Sequence, residues 1–153
     1  MRIEATPGSA SLQRRIDDEF ALARHIGVVV EQADEAGIIL SAPLGSNANH
    51  QGTAFGGSLF SIAVLTGWAW VTRHVEARKL PADAVIQEST IVYLKPVHGG
   101  LRAASKAPSA ERIEKFERML KRAGRGRIRL EVEIHEGGVL ATRFEGIFAA
   151  ALR

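Results

Sequence analysis

Between Gly45 and Thr72 the chain carries no Asp, Glu, Lys or Arg, although charged residues make up 24% of the whole sequence. Within that stretch Leu59, Phe60, Ile62, Ala63, Val64, Leu65, Trp68, Ala69, Trp70 and Val71 leave no wide polar face at helical spacing. The pattern predicts one helix, from about Gly57 to about His74, buried on most sides. A polar loop from Asn47 to Phe55 runs into it through Gly56-Gly57.

The flanking patterns are more conventional. Leu12, Ile16, Phe20 and Ala23 form one stripe of a first helix, which Ser9 or Ser11 can cap and Gly27 ends. Val28-Val29-Val30 and Ile38-Ile39-Leu40, joined by Asp34-Glu35-Ala36-Gly37, read as a hairpin closed by Pro43. Beyond the apolar helix, Ala84 to Leu94 is a long strand candidate ending at Lys95-Pro96, and Leu101 to Ser105 is a short one. Pro108 and Ser109 introduce a second amphipathic helix, with Ile113, Phe116, Met119 and Leu120 inward and Gly124 as its C-cap. On its outer face Glu111, Glu114 and Glu117 each precede a cation by four residues: Lys115, Arg118 and Lys121.

Arg127 to His135 alternates strictly, with Ile128, Leu130, Val132 and Ile134 on one face and charged residues or His135 on the other. That predicts an antiparallel strand with one wet face. Gly137-Gly138 turns it back into a last strand, Val139 to about Ala150. Strands grouped apart from one central helix predict an α+β fold. The expected architecture is a single domain over residues 1–153, an antiparallel sheet wrapped around that helix.

Composition narrows the chemistry. A chain of 153 residues can bury roughly two-thirds of its unfolded surface as one domain. With no cysteine there is no disulfide, no thiolate nucleophile and no Cys-ligated zinc. His25, His50, His74, His98 and His135 are scattered without metal-ligand spacing, so no metal and no separate cofactor is expected. The first ten residues lack the apolar run of roughly 7–15 residues that a signal peptide needs, which makes a cytoplasmic location the expectation. The apolar helix core, Leu59 to Val71, is shorter than the about 20 residues that cross a bilayer. A net charge of +3 gives no strong pull toward nucleic acid.

Three stretches carry a resemblance to known enzymes. Asn49-His50-Gln51-Gly52-Thr53-Ala54-Phe55-Gly56-Gly57 is similar to the Asn-x-x-Gly-Thr-x-His-Gly-Gly loop of phenylacetate-pathway-type thioesterases. Ser58-Leu59-Phe60-Ser61-Ile62-Ala63 continues it, and Ile91-Val92-Tyr93-Leu94-Lys95-Pro96 is like the strand ending Phe-Leu-Arg-Pro there. More narrowly, Ala42-Pro43-Leu44, Asn47-Ala48-Asn49, Gly52 to Leu59 and Leu65-Thr66-Gly67-Trp68 resemble the YiiD C-terminal-domain family. That family is classed with putative thioesterases and includes malonyl-acyl-carrier-protein decarboxylases. From about His25 onward, the resemblance implies a hotdog fold acting on acyl-CoA or acyl-carrier-protein thioesters. Coenzyme A or phosphopantetheine then belongs to the substrate, and the chain pairs as a homodimer or tetramer. An uncovered sheet edge points the same way. Neither nucleic acid nor membrane is an expected partner.

A helix start leaves N–H groups unpaired and carries partial positive charge. The N–H of Gly57 or Ser58 would polarise a docked thioester carbonyl, and a glycine pair lets it approach without a β-carbon in the way. Asn47 and Asn49 could add side-chain donors; their alternative role is turn-making through Asx-type hydrogen bonds. The catalytic candidates are thus Asn47, Asn49 and Gly57. Thr53, Phe55, Gly56, Ser58 and Val64 are candidates for binding substrate.

The resembling thioesterases carry an aspartate seven residues after the second glycine and a histidine just before the pair. Val64 and Phe55 stand at those positions, and no carboxylate occurs on the helix before Glu76. Hydrolysis through that aspartate is excluded, and dehydration by a His–carboxylate pair is disfavoured. Decarboxylation of a malonyl thioester needs no such base, only an enolate hole and an apolar pocket, which Phe55 and Val64 suit. Conversion of malonyl to acetyl thioester is the leading expectation. The alternatives are a hydrolase with a non-standard base, Glu88 being nearest in sequence terms, and a non-catalytic acyl-thioester-binding module. Thr66 is expected to bond its own i−4 carbonyl. Lys121, Arg122, Arg125, Arg127 and Arg129 could meet the phosphates of coenzyme A or the acidic surface of an acyl carrier protein, or simply form a solvated rim.

Overall fold

Six strands form one antiparallel sheet, and a single long helix crosses its inner face. A computed structural model describes residues 6–153. In chain order the elements are α1 (Pro7–Glu19), α2 (Ala21–Ile26), β1 (Val29–Asp34), β2 (Gly37–Ala42), α3 (Gly56–Ala77), β3 (Ala82–Tyr93), β4 (Leu101–Ser105), α4 (Ala110–Ala123), β5 (Arg125–Glu136) and β6 (Val139–Leu152). The spatial strand order is β1-β2-β4-β5-β6-β3, with every neighbouring pair antiparallel. This is the α+β architecture that the patterning predicts. Among the described residues no helix is long and apolar enough to cross a membrane.

The charge-free stretch becomes α3 because it must lose water on nearly every side. Ile62, Ala63, Ala69 and Val71 have no exposed surface, and the helix packs on Phe144 and Phe148, equally buried. On β5 the inward set Ile128, Leu130, Val132 and Ile134 is buried as the alternation demands. At about 25 cal/mol per Å² of apolar area removed from water, this shared interior dominates the stability of the fold.

Three local expectations change. The first helix is two: Phe20 leaves helical geometry at φ −124° and sets its ring edge-on against Trp68, with centroids 4.7 Å apart. Its start is Pro7 rather than a serine cap, and the preceding Thr6 Oγ1 shares a hydrogen bond with Ser9 Oγ at 2.6 Å and lies 3.2 Å from the Ala33 carbonyl, to which it donates. Met119 does not point inward. Phe116 and Leu120 fill the buried stripe of α4, leaving Met119 40% exposed.

Of the three i,i+4 pairs expected on α4, only Glu117 and Lys121 come within 4.0 Å. Glu117 mainly bonds the far end of α3 instead, reaching His74 Nε2 at 2.9 Å and Arg78 Nε at 3.1 Å. Burial holds the His74 imidazole below its ordinary value in spite of that carboxylate, so its ring is a neutral hydrogen-bond partner near pH 7. Those contacts fasten α4 beside β5 where β4 stops, since β4 pairs only with Val132 to Ile134. Ser109 caps α4 by accepting the Arg112 N–H, and Gly124 closes it at φ 72°.

At one edge of the sheet β3 has no outer neighbour among the described residues. Val85, Val92 and Tyr93 on it, and Leu94 just after it, are all at least 41% exposed.

Candidate active site at the start of α3

Residues 45–55 bring the chain from β2 to the helix, and two asparagines shape that loop. Asn47 is buried, at 2% exposure. Its Nδ2 donates to the carbonyls of Ile26 and Pro43, both at 2.8 Å, and its own carbonyl accepts the Phe55 N–H at 2.7 Å. Both amide hydrogens therefore tie the end of α2 to the exit of β2. The expectation of a side-chain donor for substrate is revised for Asn47: its donors are already committed.

Asn49 builds an Asx turn. Its Oδ1 accepts from the N–H groups of Gln51 at 2.9 Å and Thr53 at 3.1 Å, while Nδ2 donates to Thr53 Oγ1 at 2.9 Å. Thr53 is thus occupied in the turn. Asn49 keeps one amide hydrogen that no described residue uses. The loop is pinned from outside by Val97, whose carbonyl accepts the Ala54 N–H at 2.8 Å. Glu136 in turn fixes the segment after Val97: it accepts the Gly99 N–H, pairs with the His98 ring and accepts the His98 N–H, and these contacts hold its carboxyl below the usual carboxylate range.

The helix start carries the free donors. Phe55 is extended, with ψ 134°, and its carbonyl accepts from Ser58 N–H at 3.0 Å and Leu59 N–H at 3.1 Å. Ser58 N–H is therefore not available to a substrate. Among the described residues the N–H groups of Gly56 and Gly57 have no acceptor, and no side chain caps the helix. Both are presented where the macrodipole is most positive.

Each glycine also makes room for a ring. A β-carbon on Gly57 would stand 2.5 Å from the Phe55 ring, and one on Gly56 would stand 3.3 Å from Tyr93. Tyr93 donates its hydroxyl to the Gly56 carbonyl at 2.9 Å, and burial raises its phenol above the ordinary value. Sequence reasoning gives Tyr93 no role in the site. The available signal was an aromatic closing the strand that flanks a glycine helix start.

Farther along the helix, Ser61 Oγ donates to the Gly57 carbonyl at 2.8 Å, and Val64 follows on the same face. Val64 lines an apolar groove of about 200 Å³ between α2 and α3, together with Phe20, Leu22, Ala23, Phe60 and Leu65. Phe55, 57% exposed, does not line it, so the structure does not place Phe55 and Val64 in one pocket. Ser58 is 8% exposed with no side-chain partner among the described residues, and Thr66 bonds the Ile62 carbonyl at 2.7 Å as expected. Glu88 pairs with Ile147 and lies beside Arg129 and Glu145, on the sheet face away from α3. It is no base for a carbonyl at Gly57 of the same chain.

A long helix held in an antiparallel sheet, with unpaired N–H groups at a Gly-Gly start, defines a hotdog-fold domain of the thioesterase type. The chain belongs to the family described as "Putative thioesterase (yiiD_Cterm)", whose model matches residues 9–152. It is similar to a protein of unknown function from Chlorobaculum tepidum, at 30% identity and a TM-score of 0.89, over 95% of each chain. It is also similar to a "putative thioesterase" from Shewanella oneidensis, at 23% identity and a TM-score of 0.84, over 95% of this chain and 97% of that one. A thioesterase from Haemophilus influenzae shares the fold at 15% identity and a TM-score of 0.75, over 96% and 92% of the two chains.

Asn47→Ala strips two carbonyls of their partner in a buried setting and is expected to cost about 2–4 kcal/mol of stability. Urea denaturation measures it. A variant with an unchanged midpoint but lost turnover would return Asn47 to the catalytic set.

Proposed function

We propose that the protein decarboxylates a malonyl thioester, carried on an acyl carrier protein or on coenzyme A, to the acetyl thioester. The supporting observation is the pair of unpaired N–H groups at Gly56 and Gly57, on a helix whose next carboxylate is Glu76. The bond between the α-carbon and the carboxylate carbon breaks, carbon dioxide leaves, and the electron pair moves onto the thioester oxygen as an enolate. The α-carbon then takes a proton from water. Donors already aimed at that oxygen stabilise the charge as it develops and need no reorganisation. Val64 leaves an apolar wall where an aspartate would repel the substrate carboxylate. The remaining amide hydrogen of Asn49 and the unpartnered hydroxyl of Ser58 are the side-chain donors among the candidate residues that could add to this hole.

One observation favours a second reading. An apolar groove of about 200 Å³ beside Val64 exceeds what a malonyl group fills and suits a longer acyl chain, which fits a hydrolase of acyl thioesters. Purified protein offered malonyl-CoA, malonyl-acyl carrier protein and a medium-chain acyl-CoA separates the two. Acetyl thioester and carbon dioxide from the malonyl substrates support decarboxylation; free thiol from the medium-chain substrate, with no acetyl thioester, overturns it.

The same reading includes a homodimer. β3 is a 12-residue edge strand bearing Val85, Val92 and Tyr93 exposed, the kind of surface that pairs with another chain. Light scattering should give about twice the 16.5 kDa chain mass, and Val85→Asp with Val92→Asp should shift it toward one chain. A wild-type mass of one chain would end the idea.

A further inference from the structure

A crevice between α4 and β5 is lined by cations from both walls. From α4 come Arg112, Lys115 and Met119, spaced three and then four residues apart and so on one face of the helix. From β5 come Arg127 and Arg129, alternate residues on its wet face, with Ile128 between them. The space they enclose is about 410 Å³, and no carboxylate lines it. Other grooves bearing charge each include at least one acid: Glu88 and Glu145, Asp83, or Glu35.

The cations are largely unspent. Among the described residues no carboxylate oxygen lies within 4.0 Å of Arg112, Lys115 or Arg127. Arg129 alone is shared, reaching Glu145 at 3.4 Å. Of the acids of α4, Glu117 is bound to His74 and Arg78, and neither Glu111 nor Glu114 lines the crevice. Like charges facing one another across a narrow space repel in the empty crevice, and an anion with several charges relieves that repulsion.

The geometry selects among anions. A concave space with charge on two walls suits a compact ligand with several charges more than an extended acidic peptide, whose carboxylates are spread along a chain. Guanidinium forks match phosphate oxygens two at a time. Met119 adds a polarisable thioether, 40% exposed at the lip. We propose that this crevice is a binding site for a nucleotide-type polyphosphate, its phosphates on Arg112, Lys115 and Arg127 and its flat ring against Met119.

The site is distinct from the helix start. α4 is fastened to α3 at His74, which lies about 27 Å along the helix from Gly56 at the usual rise per residue. The inference therefore stands whatever chemistry Gly56 and Gly57 support, and binding alone tests it.

Titration calorimetry at low ionic strength with ATP, inorganic tripolyphosphate, adenosine and a short polyglutamate gives the readout. ATP should bind saturably and weaken as salt is added. Tripolyphosphate should bind more weakly, and adenosine and polyglutamate should show no saturable binding. Arg112→Gln, Lys115→Gln and Arg127→Gln should each raise the ATP dissociation constant on the order of tenfold. Met119→Ala should weaken ATP but not tripolyphosphate. Arg14→Gln, an exposed cation on α1, should change nothing. No saturable ATP binding overturns the proposal, as does an equal loss in the Arg14 variant. Tripolyphosphate or polyglutamate matching ATP overturns it too, by showing an unselective basic surface.

Discussion

Gly67→Ala is expected to destabilise the fold by about 1–2 kcal/mol, although alanine favours a helix interior over glycine by up to about 1 kcal/mol. The reason is Phe148. A β-carbon on Gly67 would stand 2.4 Å from Cζ and 2.5 Å from Cε2 of that ring. The ring has no exposed surface, and a β-carbon on Gly146 would meet its Cε2 from another direction at 2.9 Å. It therefore has nowhere cheap to move. Overpacking a dense interior costs about 1–3 kcal/mol, which outweighs the gain in helix propensity.

A double-mutant cycle isolates the contact. Phe148→Leu alone loses buried ring and should also destabilise, but in the Gly67→Ala background the shorter side chain vacates the space the new methyl needs. The two changes should cost less together than their sum, by about 1 kcal/mol or more. Urea midpoints of the four proteins measure this. If Gly67→Ala raises the midpoint, helix propensity governs position 67 and the packing account fails.

Phe148 also shows what a chain can and cannot reveal by itself. That residues 57–74 form a buried helix follows from composition alone, because a charge-free run has no other comfortable place in a protein that is otherwise 24% charged. The strict alternation of β5 is similarly local information. Which ring meets which glycine is not local: Gly67 and Phe148 sit on different elements, and only the register of β6 under α3 brings them together. Phe20 breaks the first helix for the same kind of reason, a contact with Trp68 that no i,i+4 pattern encodes. Met119 shares the helical spacing of the buried stripe, yet α4 lies along a strand edge, and an edge covers a narrower face than a sheet surface does.

The site divides along the same line. The Gly-Gly helix start and the absence of a carboxylate before Glu76 are properties of the sequence, and both stand in the structure. The allocation of hydrogen bonds is not. Asn47 and Asn49 are the same residue type two positions apart, but one amide is used up on Ile26 and Pro43 and the other keeps a hydrogen. Ser58 loses its N–H to Phe55 because the first turn closes i to i−3 there, which concentrates the free donors on the two glycines. Tyr93 enters only because β3 ends beside the helix start.

If the Gly57 N–H holds the developing oxyanion, Gly57→Pro should lower kcat/KM for the thioester on the order of 10²–10³, equivalent to about 2.7–4 kcal/mol of transition-state stabilisation. Proline deletes this donor alone. It is tolerated in the first turn of a helix, where the N–H has no intrahelical partner and the fixed φ suits the helical path. The preceding residue is Gly56, which adapts most readily to the restriction that proline imposes. The steric side of the change falls on Phe55, whose ring would stand 2.5 Å from a β-carbon at 57. With 57% of that residue exposed, the ring can swing into solvent at little cost to the fold. Gly57→Ala carries the same β-carbon and keeps the N–H, so the ratio of the proline to the alanine variant reports the hydrogen bond and not the ring. Gly56→Pro makes the same test of the neighbouring donor, with Phe55 already in the extended geometry that precedes a proline. Should the proline and alanine variants at 57 turn over equally, with thermal midpoints near that of the parent, the charge is not stabilised by Gly57, and the remaining candidates are Gly56, the Ser58 hydroxyl and the spare hydrogen of Asn49.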